Sequence, residues 1–259
     1  MSRQTMRHGF LKILTEEECE TVIKSVDKLH PYWRRYQSDR FYTLGAAAYQ
    51  EGCFEPEKYN EIAAKMNPIL KENFGWVYER VIKKLSEKIG PCELIDPLAY
   101  PGFHILGHPL GEANTHIEML LATRPLTRIH VDDQFNYPEQ RKMWNTFKNV
   151  ENDIPMSWTL SIQMPKFGSC LATWDNHDMK QYEKNKKLVE YVKGIRDYEL
   201  FKGHRPPDYV VTYKTGELFF FHGLMKHQIG PTYEMNEYER RITMQGHGVL
   251  CDGVWRIYF

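Results

Sequence analysis

Apolar residues recur along this chain at two different spacings, and the change falls near Gly90. Before it the spacing is helical. Cys19, Val22, Ile23, Val26 and Leu29 follow the three-to-four residue rule, and Thr15 with Glu18 ahead of them reads as a capping box. Residues 57–66 form a second helix candidate. Asn67-Pro68 reads as the start of a third, because proline suits the first helical position. That helix carries Leu70, Phe74, Val77, Val81, Leu85 and Ile89 on one side, and Gly90-Pro91 ends it. These stripes are expected to be core.

Beyond Gly90 the pattern becomes that of short strands. The candidates are LAYPGFHILGHP, TRIHVDDQF, MSWTLSIQM, SCLATWD, DYVVTYK, GELFFFHG, RRITMQGHGVL and VWRIYF, with Gly and Pro between them. Such a series suggests a sandwich or barrel of jelly-roll type. Two polar segments interrupt it, 136–154 and 177–207, the second holding the helix-like run KQYEKNKKLVEYVKGIRD. The expected layout is one domain over 1–259. Residues 1–92 serve as helical support, and 93–259 form a mainly β core with those two insertions, as lids or as solvated decorations.

Composition narrows the function classes. An apolar share of 42%, with 14% aromatic residues, is that of a packed globular protein. Lys+Arg and Asp+Glu are equal at 34 each, so no surplus positive charge is available for phosphates and no nucleic acid is expected as partner. No run of about eighteen apolar residues predicts a membrane span, and the first residues lack a signal peptide's apolar stretch. The cysteines Cys19, Cys53, Cys92, Cys170 and Cys251 are odd in number and far apart, which argues for buried, reduced thiols and a cytoplasmic protein.

The candidate chemistry lies in His130-Val131-Asp132. On a strand, residues two apart share a face, so this His and carboxylate can hold one metal ion. A second His from a distant strand completes a facial triad that leaves coordination positions open. His222 and His227 both follow the apolar run LFFF. Further on, Arg241 and Thr243 share one strand face, and a guanidinium fork beside a hydroxyl suits a buried carboxylate. Alternation favours Arg241 over Arg240 and puts Gln245 and His247 on its face, while Asp133 faces away from Asp132. His104 and His108 are four apart, but the prolines and glycines around them exclude a helical zinc pair.

Taken together, H-x-D, then GELFFF, a lone His, and R-x-T resemble the Fe(II)/2-oxoglutarate-dependent dioxygenase superfamily over roughly residues 96–250. The resemblance implies a double-stranded β-helix (jelly-roll) core with helices packed outside it. It also implies Fe(II) held by His130, Asp132 and His227, with Arg241 and Thr243 clamping 2-oxoglutarate as co-substrate. GSCLATWD resembles the family's turn between middle strands, without the paired glycines often found there. In this family the distal His stands some residues after the apolar strand, which favours His227 and leaves His222 to the pocket wall. O2 is then the second co-substrate, and an unactivated C–H bond is hydroxylated. The expected substrate is a small polar metabolite, first of all a free amino acid or a related biosynthetic intermediate. Its candidate contacts are Tyr100, His104, Glu118, Trp158, Trp174, His222 and Gln245. Asp132 argues against a halogenase, in which a small residue replaces the carboxylate. The competing readings are a non-catalytic cupin-like binding module and an oxygenase directed at nucleic acid or protein.

Overall fold

A computed structural model describes residues 8–35, 41–94, 96–174 and 207–259. The strands are β1 (Gly9–Lys12), β2 (Arg34–Arg35), β3 (Phe41–Leu44), β4 (Cys92–Leu94), β5 (Gly102–Leu106), β6 (Val150–Gln163), β7 (Leu171–Thr173), β8 (Tyr209–Val211), β9 (Glu217–His222), β10 (His227–Ile229), β11 (Arg241–Cys251) and β12 (Val254–Tyr258). The helices are α1 (Glu16–Lys28), α2 (Pro56–Ile89), α3 (His116–Ala122) and α4 (Pro138–Trp144), with a π-helical turn at Ala48–Gly52. A major sheet runs β1-β9-β6-β11-β5-β3-β2, and β12 and β4 continue it beside β11. A minor sheet runs β10-β7-β8. Every pairing is antiparallel except β4 with β12. The mainly β jelly roll expected from the strand series is therefore present.

Alternation along the long strands separates core from cavity. On β11, Ile242 and Met244 join Trp158, Leu160 and Ile162 of β6 and the buried stripes of α1 and α2 in one apolar core. The alternate residues Arg241, Gln245 and His247 face the other way, into a cavity. Gly246 is needed on the core side, since a Cβ there would stand 2.5 Å from the Trp158 ring. The turn before β7 depends on Gly168, whose φ is +84° and whose Cβ would meet the Pro231 carbonyl at 2.2 Å.

Helix α1 has the expected capping box, with Glu18 N–H on Thr15 Oγ1 at 3.2 Å and Thr15 N–H on a Glu18 carboxylate oxygen at 2.9 Å. Three expectations need correction. Residues 57–66 and the segment after Asn67-Pro68 are one helix of 34 residues, with Pro68 inside it. Asn67 caps nothing. Its side chain donates to Leu98 O at 2.9 Å and accepts from Tyr100 N–H at 2.9 Å, tying α2 to the chain entering β5. The buried row Tyr59, Ala63, Met66, Leu70, Phe74 crosses Pro68 unbroken, and its burial outweighs the lost helical hydrogen bond.

The segment before residue 92 is also not only helical, since β1, β2 and β3 join the major sheet. These strands are two to four residues long, too short to leave a period-2 signature, and β1 finds its partner β9 some two hundred residues away. Finally, residues 150–154 of the expected first insertion belong to β6, where Val150 and Glu151 pair with Cys251 and Leu250. The second insertion, apart from Pro207, lies outside the described residues. All five cysteines are buried and free, and no helix among the described residues is long and apolar enough to cross a membrane.

Candidate metal centre and its cavity

The segment TRIHVDDQF is not a strand. It touches the minor sheet at one antiparallel bridge, where His130 N–H reaches His227 O at 3.0 Å and His227 N–H reaches His130 O at 2.9 Å. Asp132 N–H then reaches Gly223 O at 2.8 Å, and residues 134–136 turn into a short 3-10 helix. Because no ladder holds the segment, strict alternation lapses, and Asp133 sits on the cavity rim instead of facing away. The expected convergence of His130 and Asp132 occurs all the same, through the bridge to β10.

Ligand atoms of His130, Asp132 and His227 lie within 4.8 Å of one another. His130 Nε2 is 3.8 Å from Asp132 Oδ1, and His227 Nε2 is 3.5 Å from Asp132 Oδ2. Neighbouring ligands of an octahedral ion at about 2.1 Å stand about 3 Å apart, so small rotations close the gap. Both imidazoles can offer Nε2 to an ion. His130 Nδ1 lies 2.7 Å from Arg128 O and His227 Nδ1 lies 2.7 Å from Met225 O, so each Nδ1 carries the proton and each Nε2 keeps its lone pair. Burial lowers His227 to about 4, more than Asp132 raises it, which keeps the ring neutral. Burial pushes the Asp132 carboxyl up, but His227, His247, His130 and the Ser157 hydroxyl together hold it below the usual range. Two neutral donors and one carboxylate form a donor set that fits a divalent transition ion.

The triad opens on a cavity of about 750 Å³ lined from both sheets. Arg241 reaches it from β11 and is only 2% exposed. Its Nη1 donates to Thr243 Oγ1 at 3.2 Å, and its guanidinium lies 5.7 Å from the Tyr213 ring centre. Nε and Nη2 are buried with no partner among the described residues. A buried cation without a counter-charge is costly unless a ligand supplies one. Arg240 turns the opposite way, making a fork with Asp27 of α1 at 2.6 and 3.2 Å.

Of the expected substrate contacts, His104 and Gln245 are on the cavity wall. His104 bonds Thr43 Oγ1 at 3.3 Å and the Tyr49 hydroxyl, and burial, then Arg241 and His247, lower it to about 3. Trp158 borders the cavity, but its ring packs into the core over Gly246. Tyr100, Glu118, Trp174 and His222 stand outside the wall. Tyr100 lies in the chain before β5, edge-on to Tyr78. Glu118 belongs to α3, where it caps the helix and meets His108 at 2.9 Å. Trp174 follows β7, its N–H held by Lys226 O, and His222 Nδ1 accepts from Leu224 N–H within a turn.

Sequence reasoning missed Ser157, Tyr49 and Tyr213, all on the wall. For Ser157 a signal was present. Ser157 and Thr159 alternate with Trp158 and Leu160, so these two polar residues face the cavity while the Trp158 ring packs into the core.

No protein-family model and no curated protein matches the sequence. Among solved structures, the chain is similar to an N-substituted L-amino acid dioxygenase from Burkholderia ambifaria AMMD, at 15% identity and a TM-score of 0.53 over 96% of this chain and 85% of that one. Such a dioxygenase from the same organism in complex with alpha-KG gives 16% and 0.49 over 96% and 85%. The epimerase SnoN from nogalamycin biosynthesis gives 13% and 0.45 over 93% and 77%. The likeness is one of fold, that of the N-substituted L-amino acid dioxygenase.

Proposed function

We propose that this chain is an Fe(II)- and 2-oxoglutarate-dependent oxygenase that hydroxylates an unactivated C–H bond of a small polar metabolite, with a free amino acid or a biosynthetic intermediate as first candidate. The observation that carries the reading is the pairing, in one cavity, of a His-Asp-His triad with a buried arginine whose Nε and Nη2 have no partner among the described residues. A carboxylate joined by a short chain to a metal-chelating end satisfies both features.

In this reading His130 and His227 present Nε2, and Asp132 adds the negative charge that makes the site selective for a cation. Arg241 grips the distal carboxylate of 2-oxoglutarate from Nε and Nη2, and Thr243 fixes the guanidinium through Nη1. Bound at the triad, Fe(II) with 2-oxoglutarate supplies the activation of O2 that C–H hydroxylation needs. The walls do the rest. At about 750 Å³ the cavity exceeds what a five-carbon diacid fills and falls in the range of small-molecule sites. His104 and Gln245 then orient the substrate's polar groups, while Phe41 and Phe221 exclude water.

The test is succinate formation with Fe(II), 2-oxoglutarate and a metabolite panel led by free amino acids. At least one metabolite is expected to stimulate succinate release and to gain one oxygen atom by mass. A protein that binds neither Fe(II) nor 2-oxoglutarate overturns the reading in favour of a cupin-like binder.

A further inference from the structure

The Asp132 carboxylate poses a positioning problem. His227 stands on β10, but Asp132 stands on a segment held by the single His130–His227 bridge and by its own N–H on Gly223 O, with no ladder to set its side chain. Its support comes across the cavity. Ser157 Oγ is 2.6 Å from Asp132 Oδ2, and His247 Nδ1 is 3.2 Å from the same Oγ. Ser157 on β6 and His247 on β11 face each other in register. His247 Nδ1 is 3.9 Å from Asp132 Oδ2, beyond direct hydrogen bonding, so the serine mediates.

The direction of this chain follows from the donor count. A hydroxyl has one proton, and a contact of 2.6 Å to a carboxylate requires that proton to point at Asp132. Ser157 can then only accept from His247, so Nδ1 carries the imidazole proton. Nε2, the buried nitrogen without a partner among the described residues, is the bare acceptor.

We propose that Ser157 and His247 are positioning residues for the metal centre: His247 Nδ1–H to Ser157 Oγ, and Ser157 Oγ–H to Asp132 Oδ2, anchor the carboxylate to the major sheet and leave Oδ1 free as its single metal donor. The inference rests on the metal-centre reading above.

Co(II) binding to the purified protein without 2-oxoglutarate tests it. Ser157→Ala and His247→Phe are expected to weaken Co(II) affinity by about 10- to 100-fold, the usual effect of removing the partners that orient a ligand. Ser157→Thr keeps the hydroxyl and His247→Asn keeps a donor at the Nδ1 position, and both are expected to stay near wild type. Wild-type protein that binds no Co(II) sinks the metal centre itself. Wild-type binding matched by Ser157→Ala and His247→Phe overturns the relay alone. Nitrogen-15 NMR of His247 in the unaltered protein gives a check independent of variant folding: protonation at Nδ1 is expected, and a ring protonated at Nε2 refutes the assigned direction.

Discussion

Arg240 and Arg241 are adjacent, both buried, and held for different ends. Arg241 has two buried nitrogens without a partner among the described residues, whereas Arg240 makes a fork with Asp27. Removing one partner of a buried ligand–charge pair costs about 2–5 kcal/mol, or on the order of thirty-fold or more in affinity. Arg241→Ala is therefore expected to raise the KM for 2-oxoglutarate by at least about thirty-fold with Co(II) affinity retained, and Arg241→Lys to fall between, since a point charge cannot copy the fork. Steady-state titration of 2-oxoglutarate decides. Arg240→Ala should leave that KM alone but destabilise the fold by about 3–5 kcal/mol, because Asp27 loses its partner in a mostly buried setting. A shifted KM with an unchanged denaturation midpoint would reverse the two assignments. Alternation alone told the arginines apart in the sequence. It failed at Asp133, where no ladder imposes it, and it would have separated Trp158 from the cavity-facing Ser157 and Thr159.

Helix α2 shows how far local patterns reach. Asn67-Pro68 is a legitimate start signal, and the apolar stripe before it is short enough to pass for a separate helix. What joins the two halves is the surface they bury, which belongs to sheet strands far along the chain. Asn67 turns from a helix cap into a brace for residues 98–100. Asn67→Ala leaves Leu98 O and Tyr100 N–H unpaired and should cost about 1–3 kcal/mol, read from the urea midpoint. A neutral result would mean that water takes over both groups. The strands β1, β2 and β3 were beyond sequence reasoning for a related reason. They have only two to four residues, and β1 and β3 take their sheet character from the remote strands β9 and β5, while β2 pairs only with β3.

Taken as a whole, the molecule is two sheets sharing a cavity, with titratable groups turned inward. His104 and His227 are held at about 3 and about 4, from an ordinary 6.5. As pH falls through 6.5 the unfolded chain takes up these protons before the folded one does, so the stability they contribute is complete above about 6.5 and drains away toward 4. Asp132, held below its usual range, acts in the same direction at lower pH. The melting temperature of metal-free protein should thus drop between pH 7 and pH 5, and His104→Gln should make the drop shallower. A flat profile would show that these rings are not kept neutral by folding. The buried cysteines extend the picture to motion. Burial pushes Cys19, Cys170 and Cys251 up to about 11 and Cys53 and Cys92 to about 12, so the native thiols are protonated and shielded. They occupy α1, the cavity wall, β4, the turn before β7 and the end of β11. An alkylating reagent therefore reads, at five separate addresses, how often each part of the barrel opens to solvent. Cys170, beside the minor sheet that carries His227, is the address whose clock a metal ion should slow.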